Sequence, residues 1–275
     1  MKRTAAFTLS FLLLFALAAT PALSQQSEHT PAQAYERFRQ WMTQQPRDTP
    51  REQMRQGYMD HLEGQGLGEE EIRSEVALLD EGGDRQEIEM WNQILTAENP
   101  RFNTDPNAFL ERMVEGWEPG SALDVGMGQG RNAVFLAQEG WEVTGFDPAE
   151  RAVALAQELA GSAGVKIETY IQTDDEFEFG TDKWDLIVLS YVSARPLIGK
   201  VVRSLAPGGR VVLEAFHQDA TEGASIGQGV VYDSNELLEL FSDLRIIRYE
   251  DEMAVADFGQ QNVRVVRLAA MKTDP

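Results

Sequence analysis

A chain of 275 residues, 43% hydrophobic and 25% charged, has room for one substantial α/β domain and a smaller attachment. Its formal charge of −21 is spread along the chain, which disfavours nucleic acid and anionic membrane surfaces as partners and favours a small-molecule substrate. The absence of cysteine excludes disulfides, thiolate metal sites and a cysteine nucleophile, and no metal site is expected.

Residues 1–24 form a segment of their own. Lys2 and Arg3 precede an apolar run from Ala5 to Ala19, and Ala22-Leu23-Ser24 offers small residues for cleavage, with Gln25 as the mature start. The run is short for a membrane span. The expectation is a signal peptide and export, to the periplasm of a two-membrane bacterium, with no stable membrane association after cleavage. An uncleaved anchor is the alternative, and a cytoplasmic location follows if the signal is not used.

Residues 25–100 are expected to form a polar spacer and then four helices. Tyr35, Phe38, Trp41 and Met42 make one apolar stripe, and Met54, Tyr58, His61 and Leu62 another, with Pro46 and Pro50 between them. In "GLGEEEIRSEVALLDEGG" an acidic first turn opens a third helix and the Gly82-Gly83 pair stops it. "DRQEIEMWNQILTAENP" reads as a fourth helix ended by Asn99-Pro100. None carries metal-ligand or nucleophile spacing, and His29 and His61 read as surface or packing residues.

Residues 101–275 have a different texture. After a helix entered at Asp105-Pro106, strands are expected at 121–126, 142–146, 165–171, 184–190 and 209–215. Helices are expected near 131–139, 148–160, 195–205 and 234–241. This alternation predicts a parallel sheet covered on both faces. "LRIIRYEDE" and "NVRVVRLAAM" then follow without an intervening helix and should pair antiparallel.

The stretch "LDVGMGQGRN" holds the chemistry. Gly126 and Gly128 let the chain turn sharply off the first strand and approach a ligand, and Gly130 leads into a helix N-terminus with free N–H groups. Asp147 ends the second strand, where a carboxylate accepts hydrogen bonds from ribose hydroxyls. Gly128 to Ala133 also fits the G-x-G-x-x-A of dinucleotide sites, so a nicotinamide-dependent oxidoreductase is a competing reading. Three features favour S-adenosylmethionine as cofactor. Asp124, two residues before Gly126, can anchor the loop and face an ammonium. Acidic residues follow the third strand, and the closing antiparallel pair does not suit a purely parallel dinucleotide sheet.

From about Trp91 to Lys272 the chain resembles class I S-adenosylmethionine-dependent methyltransferases. "LDVGMGQGRNAVFLAQEGWEVTGFDPAE" is most similar to the tellurite-resistance and thiopurine-type small-molecule branch, and "LAPGGRVVLEAF" to the family's helix–turn–fifth-strand segment, with Pro207-Gly208-Gly209 as the turn. The resemblance implies a seven-stranded, mostly parallel, doubly wound (Rossmann-like) sheet with an antiparallel C-terminal pair and, here, an N-terminal helical attachment. By position, Asp124, Gly126, Gly128 and Gly130 would form the cofactor loop, Asp147 would hold the ribose, and Asp174 or Asp175 the adenine edge. The helical segment and the signal depart from the family pattern.

A methyl acceptor belongs outside the carboxyl ends of the fourth and fifth strands, where Ser190, Tyr191, Arg195, Glu214 and His217 stand. Ser190 is assigned to the cofactor side; Tyr191 and His217 are the catalytic candidates, His217 as a general base or as a solvated loop residue. Arg131 and Asn132 either fix the cofactor loop or a substrate anion, or only cap the helix. A soft acceptor such as a thiol or chalcogenide needs little help from a base. The expected activity is methyl transfer to a small molecule, at sulfur or another heteroatom. A non-catalytic exported binding protein on the same fold is the other alternative.

Overall fold

In the computed structural model, which describes residues 30–46, 51–221 and 228–273, three N-terminal helices precede the sheet. They are α1 (Pro31–Met42), α2 (Arg51–Gly64) and α3 (Glu69–Leu95). The expected leader and cleavage site, and His29, lie outside the described residues. No helix among the described residues is long and apolar enough to cross a membrane.

Thr30 caps α1, its hydroxyl accepting from the Gln33 N–H while the Gln33 side chain accepts from the Thr30 N–H. The two stripes meet: Trp41, Tyr58, Leu62, Ile72 and Val76 are buried together, with Phe38, Met42 and Met54 packed around them. His61 takes a packing place against the Trp41 and Tyr58 rings. Beneath them Arg37 grips the buried Glu75 with two hydrogen bonds of 2.9 and 2.6 Å. The expected third and fourth helices are one. α3 runs for 27 residues through Gly82-Gly83. A Cβ at Gly82 would lie 2.5 Å from the Pro31 Cβ, so this glycine lets α1 approach α3 rather than ending the helix. Past the bundle, α3 reaches the sheet's helices, where the Asn92 side-chain oxygen accepts from the Arg151 N–H.

The boundary expected at 100 falls between α3 and α4 (Ala108–Val114). Then come β1 (Ser121–Val125), α5 (Arg131–Gln138), β2 (Glu142–Phe146), α6 (Glu150–Ala163) and β3 (Glu168–Tyr170). β4 (Trp184–Ser190), α7 (Ile198–Ser204), β5 (Leu205–His217), β6 (Val231–Tyr232), α8 (Glu236–Leu240), β7 (Arg245–Val255) and β8 (Asn262–Met271) complete the chain. Seven strands lie in the order β3-β2-β1-β4-β5-β8-β7, with the two-residue β6 beside β5 off this path. The first five pair parallel, and β8 pairs antiparallel with both β5 and β7, as the missing helix between the last two strands required.

Both faces are covered, and the period of two along a strand sorts the core. On β4, Ile187 and Leu189 pack with Leu197, Val201, Leu237 and Phe241, whereas Leu186 and Val188 pack with Phe109, Leu110, Ala133 and Leu136. β3 is shorter than expected because its residues form a largely exposed sheet edge. β5 is longer: it begins at Leu205, and Pro207-Gly208-Gly209 bulges out where Trp184 faces Leu205 and Leu186 faces Arg210.

Candidate cofactor and acceptor site

β1 and β2 end side by side, Val125 opposite Phe146, and the chain leaves β1 through three left-handed glycines. Gly126, Gly128 and Gly130 have φ of +61°, +54° and +81°. Space as well as torsion requires two of them. A Cβ on Gly126 would lie 2.5 Å from Val192 Cγ1, and one on Gly130, the N-cap of α5, 2.6 Å from Ala156 Cβ. Opposite the loop, Asp147 accepts from the Gly128 N–H through Oδ2 (3.0 Å) and from the Ala149 N–H through Oδ1 (2.8 Å). Burial pushes its carboxyl up, and those two N–H groups pull it down.

Asp124 is 1% exposed, and its Oδ2 has no hydrogen-bond partner among the described residues. Burial pushes this carboxyl up to about 7, opposed by the Arg131 charge, reinforced by Asp147 and opposed again by the Ala133 N–H. A glycine cradle beside an orphaned carboxylate oxygen fits a ligand that brings a donor or a positive charge to the end of β1.

Arg131 and Asn132, at the start of α5, are buried and both engaged. Arg131 donates to the Asp105 carbonyl (2.8 Å), to Asp257 Oδ2 (2.7 Å) and, at 3.4 Å, to Ser190 Oγ. Asn132 Oδ1 accepts from the Asn107 N–H, while the Asn107 and Asn103 amides donate to the two Asp257 oxygens. Asp257, on the β7–β8 connection, therefore gathers α5 and the segment before α4 around one carboxylate.

On the acceptor side Tyr191 follows β4 with φ of +57°, an uncommon conformation for a bulky residue. Its hydroxyl donates to Glu214 Oε1 (2.7 Å) and accepts from the Asp257 N–H (3.1 Å). Burial first, then the Glu214 and Asp257 charges, push the phenol well above its usual range. Glu214 is held on its other oxygen by Arg267 (2.6 Å). Tyr191 is thus a phenol pinned between Glu214 and the Asp257 N–H. His217 ends β5 with 4% exposure; its Nδ1 accepts from the Asp219 N–H, which leaves Nε2–H to donate to Ser234 Oγ (3.1 Å). In this arrangement neither ring nitrogen is open to a substrate proton. Arg195 is also spent internally, on Glu236, the Val231 carbonyl and the Tyr232 ring.

Asp174 and Asp175 occupy the turn after β3. The Asp174 carbonyl accepts from Lys200 Nζ, and the same ammonium lies 3.7 Å from the largely exposed Asp175 carboxylate.

Residues 122–209 match a family profile described as a methyltransferase domain. Among curated proteins the chain is 22% identical over 173 residues to Hemagglutinin 1 of Eikenella corrodens, across 60% of this chain and 57% of that one. It is 24% identical over 157 residues to the "Probable S-adenosyl-L-methionine-dependent methyltransferase TehB" of Haemophilus influenzae, across 54% of each chain. The chain thus spans little more than half the length of these curated relatives. In fold it is similar to the crystal structure of TehB, with a TM-score of 0.52 at 20% identity over 61% of this chain and 62% of that one. The N-methyltransferase NodS of Bradyrhizobium japonicum WM9, in complex with S-adenosyl-L-homocysteine, gives a TM-score of 0.54 at 20% identity over 68% of this chain and 98% of that one. Residues 122–209 thus carry a methyltransferase domain, on a fold shared with these methyltransferases.

The site has contributors that no sequence motif marks. Leu95, in the last turn of α3, lies against the glycine loop, 3.2 Å from where a Gly128 Cβ would stand, and is buried with Phe102, Ala149 and Ala152. Phe258, next to Asp257, packs against Trp91, Phe102 and Tyr191. α3 therefore forms part of the cover over the glycine loop. The side chains that bond the Asp257 carboxylate are 126, 150 and 154 residues away, and no local spacing marks such a residue.

Proposed function

We propose that this protein transfers a methyl group from S-adenosylmethionine to a small-molecule acceptor, at sulfur or another heteroatom that is nucleophilic without deprotonation. In this reading residues 25–100 are a helical attachment and 101–275 the catalytic domain. Asp124 and the glycine loop hold the amino-acid end of the cofactor, Asp147 its ribose, and Asp174 or Asp175 its adenine edge. Arg131, Asn132 and Ser190 fix the wall between them. The cofactor supplies a sulfonium-bound electrophilic methyl group; the chain supplies orientation and exclusion of water.

The observation that carries the choice of acceptor is the commitment of Tyr191 and His217 to internal hydrogen bonds. With neither poised to take a proton, a thiolate, selenide or comparable soft nucleophile suits the crevice better than an unactivated hydroxyl. The antiparallel end of the sheet and the orphaned Asp124 oxygen weigh against the nicotinamide reading. A charge of −21 weighs against nucleic acid as the substrate.

The test is a panel of thiol, selenide, tellurite and oxyanion acceptors, with S-adenosylhomocysteine formation and product mass as readouts. Turnover with soft acceptors supports the reading. Cofactor binding without turnover on any acceptor would replace it with a binding protein, a role that the contact of Leu95 with the cofactor loop also suits. Export to the periplasm is proposed on the pattern of the leader alone. Fractionation with N-terminal sequencing decides it: a mature start at Gln25 supports export, and full-length protein in the soluble cytoplasm refutes it.

A further inference from the structure

Asp124 stands where β1 passes into the glycine loop, buried, with one carboxylate oxygen unmatched among the described residues. The charged groups bearing on it are Arg131 on α5 and Asp147 at the end of β2. Arg131 is occupied by Asp257, the Asp105 carbonyl and Ser190, and Asp147 by the Gly128 and Ala149 N–H groups. Neither can turn to Asp124 without giving up those bonds. The Ala133 N–H serves it from α5, which leaves the second oxygen bare. A buried carboxylate with a bare oxygen is expensive, and holding a proton is its cheapest remedy until a cation arrives.

S-adenosylmethionine and S-adenosylhomocysteine both carry an ammonium at the amino-acid end. We infer that Asp124 holds a proton in the ligand-free domain and releases it to solvent when the ammonium of the cofactor enters the glycine loop, so that cofactor capture and proton release are one event. The Asp124 O–H bond breaks, the proton passes to the buffer, and the carboxylate accepts a hydrogen bond from the ammonium; no electrons are transferred. Burial that pushes the carboxyl up to about 7 sets the working range. Below that pH, cofactor affinity should rise about tenfold per pH unit, and above it the profile should level. This inference rests on the cofactor reading and adds a proton count to it.

The experiment is calorimetry of the full chain with S-adenosylhomocysteine, in buffers of different protonation enthalpy. About one proton should be released per site at pH 6, falling to roughly a tenth at pH 8. 5′-Methylthioadenosine, which keeps the nucleoside but lacks the ammonium, should release none, and neither should S-adenosylhomocysteine binding to Asp124→Asn. Binding of S-adenosylhomocysteine to the wild-type protein at pH 6 without proton release would overturn the inference and leave the cofactor assignment standing. Equal release on binding 5′-methylthioadenosine would overturn it as well. Failure of S-adenosylhomocysteine to bind at any pH would remove the cofactor assignment itself, and the inference with it.

Discussion

Replacing Asp124 by asparagine keeps its shape and removes its charge, so its effect on stability should depend on pH in a calculable way. Burial raises the carboxyl from an ordinary 3.8 to about 7. Between those values the folded protein holds a proton that the unfolded chain has lost, so this position stabilises the fold at low pH. That contribution drains away as pH rises, until the buried carboxylate is fully charged above about 7. Asparagine has no such dependence. A shift of roughly three units at 1.36 kcal/mol each sets a ceiling of about 4 kcal/mol for the whole range. The new amide N–H₂ needs a partner, which costs about 1–3 kcal/mol, but that cost is the same at every pH. The difference between variants is therefore the cleaner quantity. From pH 5.5 to pH 8, Asp124→Asn should gain about 2 kcal/mol on the wild type. Urea unfolding of both proteins across this interval measures it. A free-energy difference that stays constant with pH would show that Asp124 does not titrate between about pH 5.5 and 8, and would refute the reasoning.

Asp147→Ala removes a charged acceptor from the proposed ribose position and a tie to the Gly128 N–H; it should cost about 1.5–3 kcal/mol of S-adenosylhomocysteine affinity by calorimetry, and unchanged affinity would displace the site. Asp257→Ala strips a buried guanidinium of its counter-charge, so an urea midpoint corresponding to about 3–5 kcal/mol of lost stability is expected, with a loss below about 1 kcal/mol as the contrary result. His217→Ala should lower kcat with a thiol acceptor by less than about tenfold, whereas a loss of about 10³ would mean that a base is required after all. Gly82→Ala should destabilise the N-terminal bundle in thermal melts, because overpacking against Pro31 at about 1–3 kcal/mol outweighs a helix-propensity gain of about 1 kcal/mol. A stabilised variant would show that α1 can yield there.

The parallel strands, the loop glycines and the antiparallel closing pair were legible in the sequence because each rests on local physics. A strand was expected at 184–190, and the period of two that a strand imposes puts Leu186 and Val188 on the face opposite Ile187 and Leu189. Gly126 and Gly130 were readable for a similar reason, since a chain that turns sharply from strand to helix needs left-handed backbone.

The tertiary structure decided what depends on distant neighbours. Gly82-Gly83 has the local signature of a helix stop, yet α3 continues through it, because packing against Pro31 holds the helix together more strongly than glycine propensity breaks it. His217 and Tyr191 lie at the strand ends where catalytic groups are sought, but whether either could act as a base depended on which donors and acceptors the fold brought to them. Ser234, Glu214 and the Asp257 N–H claim those atoms from 17, 23 and 66 residues away. Side-chain type and spacing state what a residue is able to do. Its protonation state and its free valences are set by the dielectric and the partners around it, and only the folded chain supplies those.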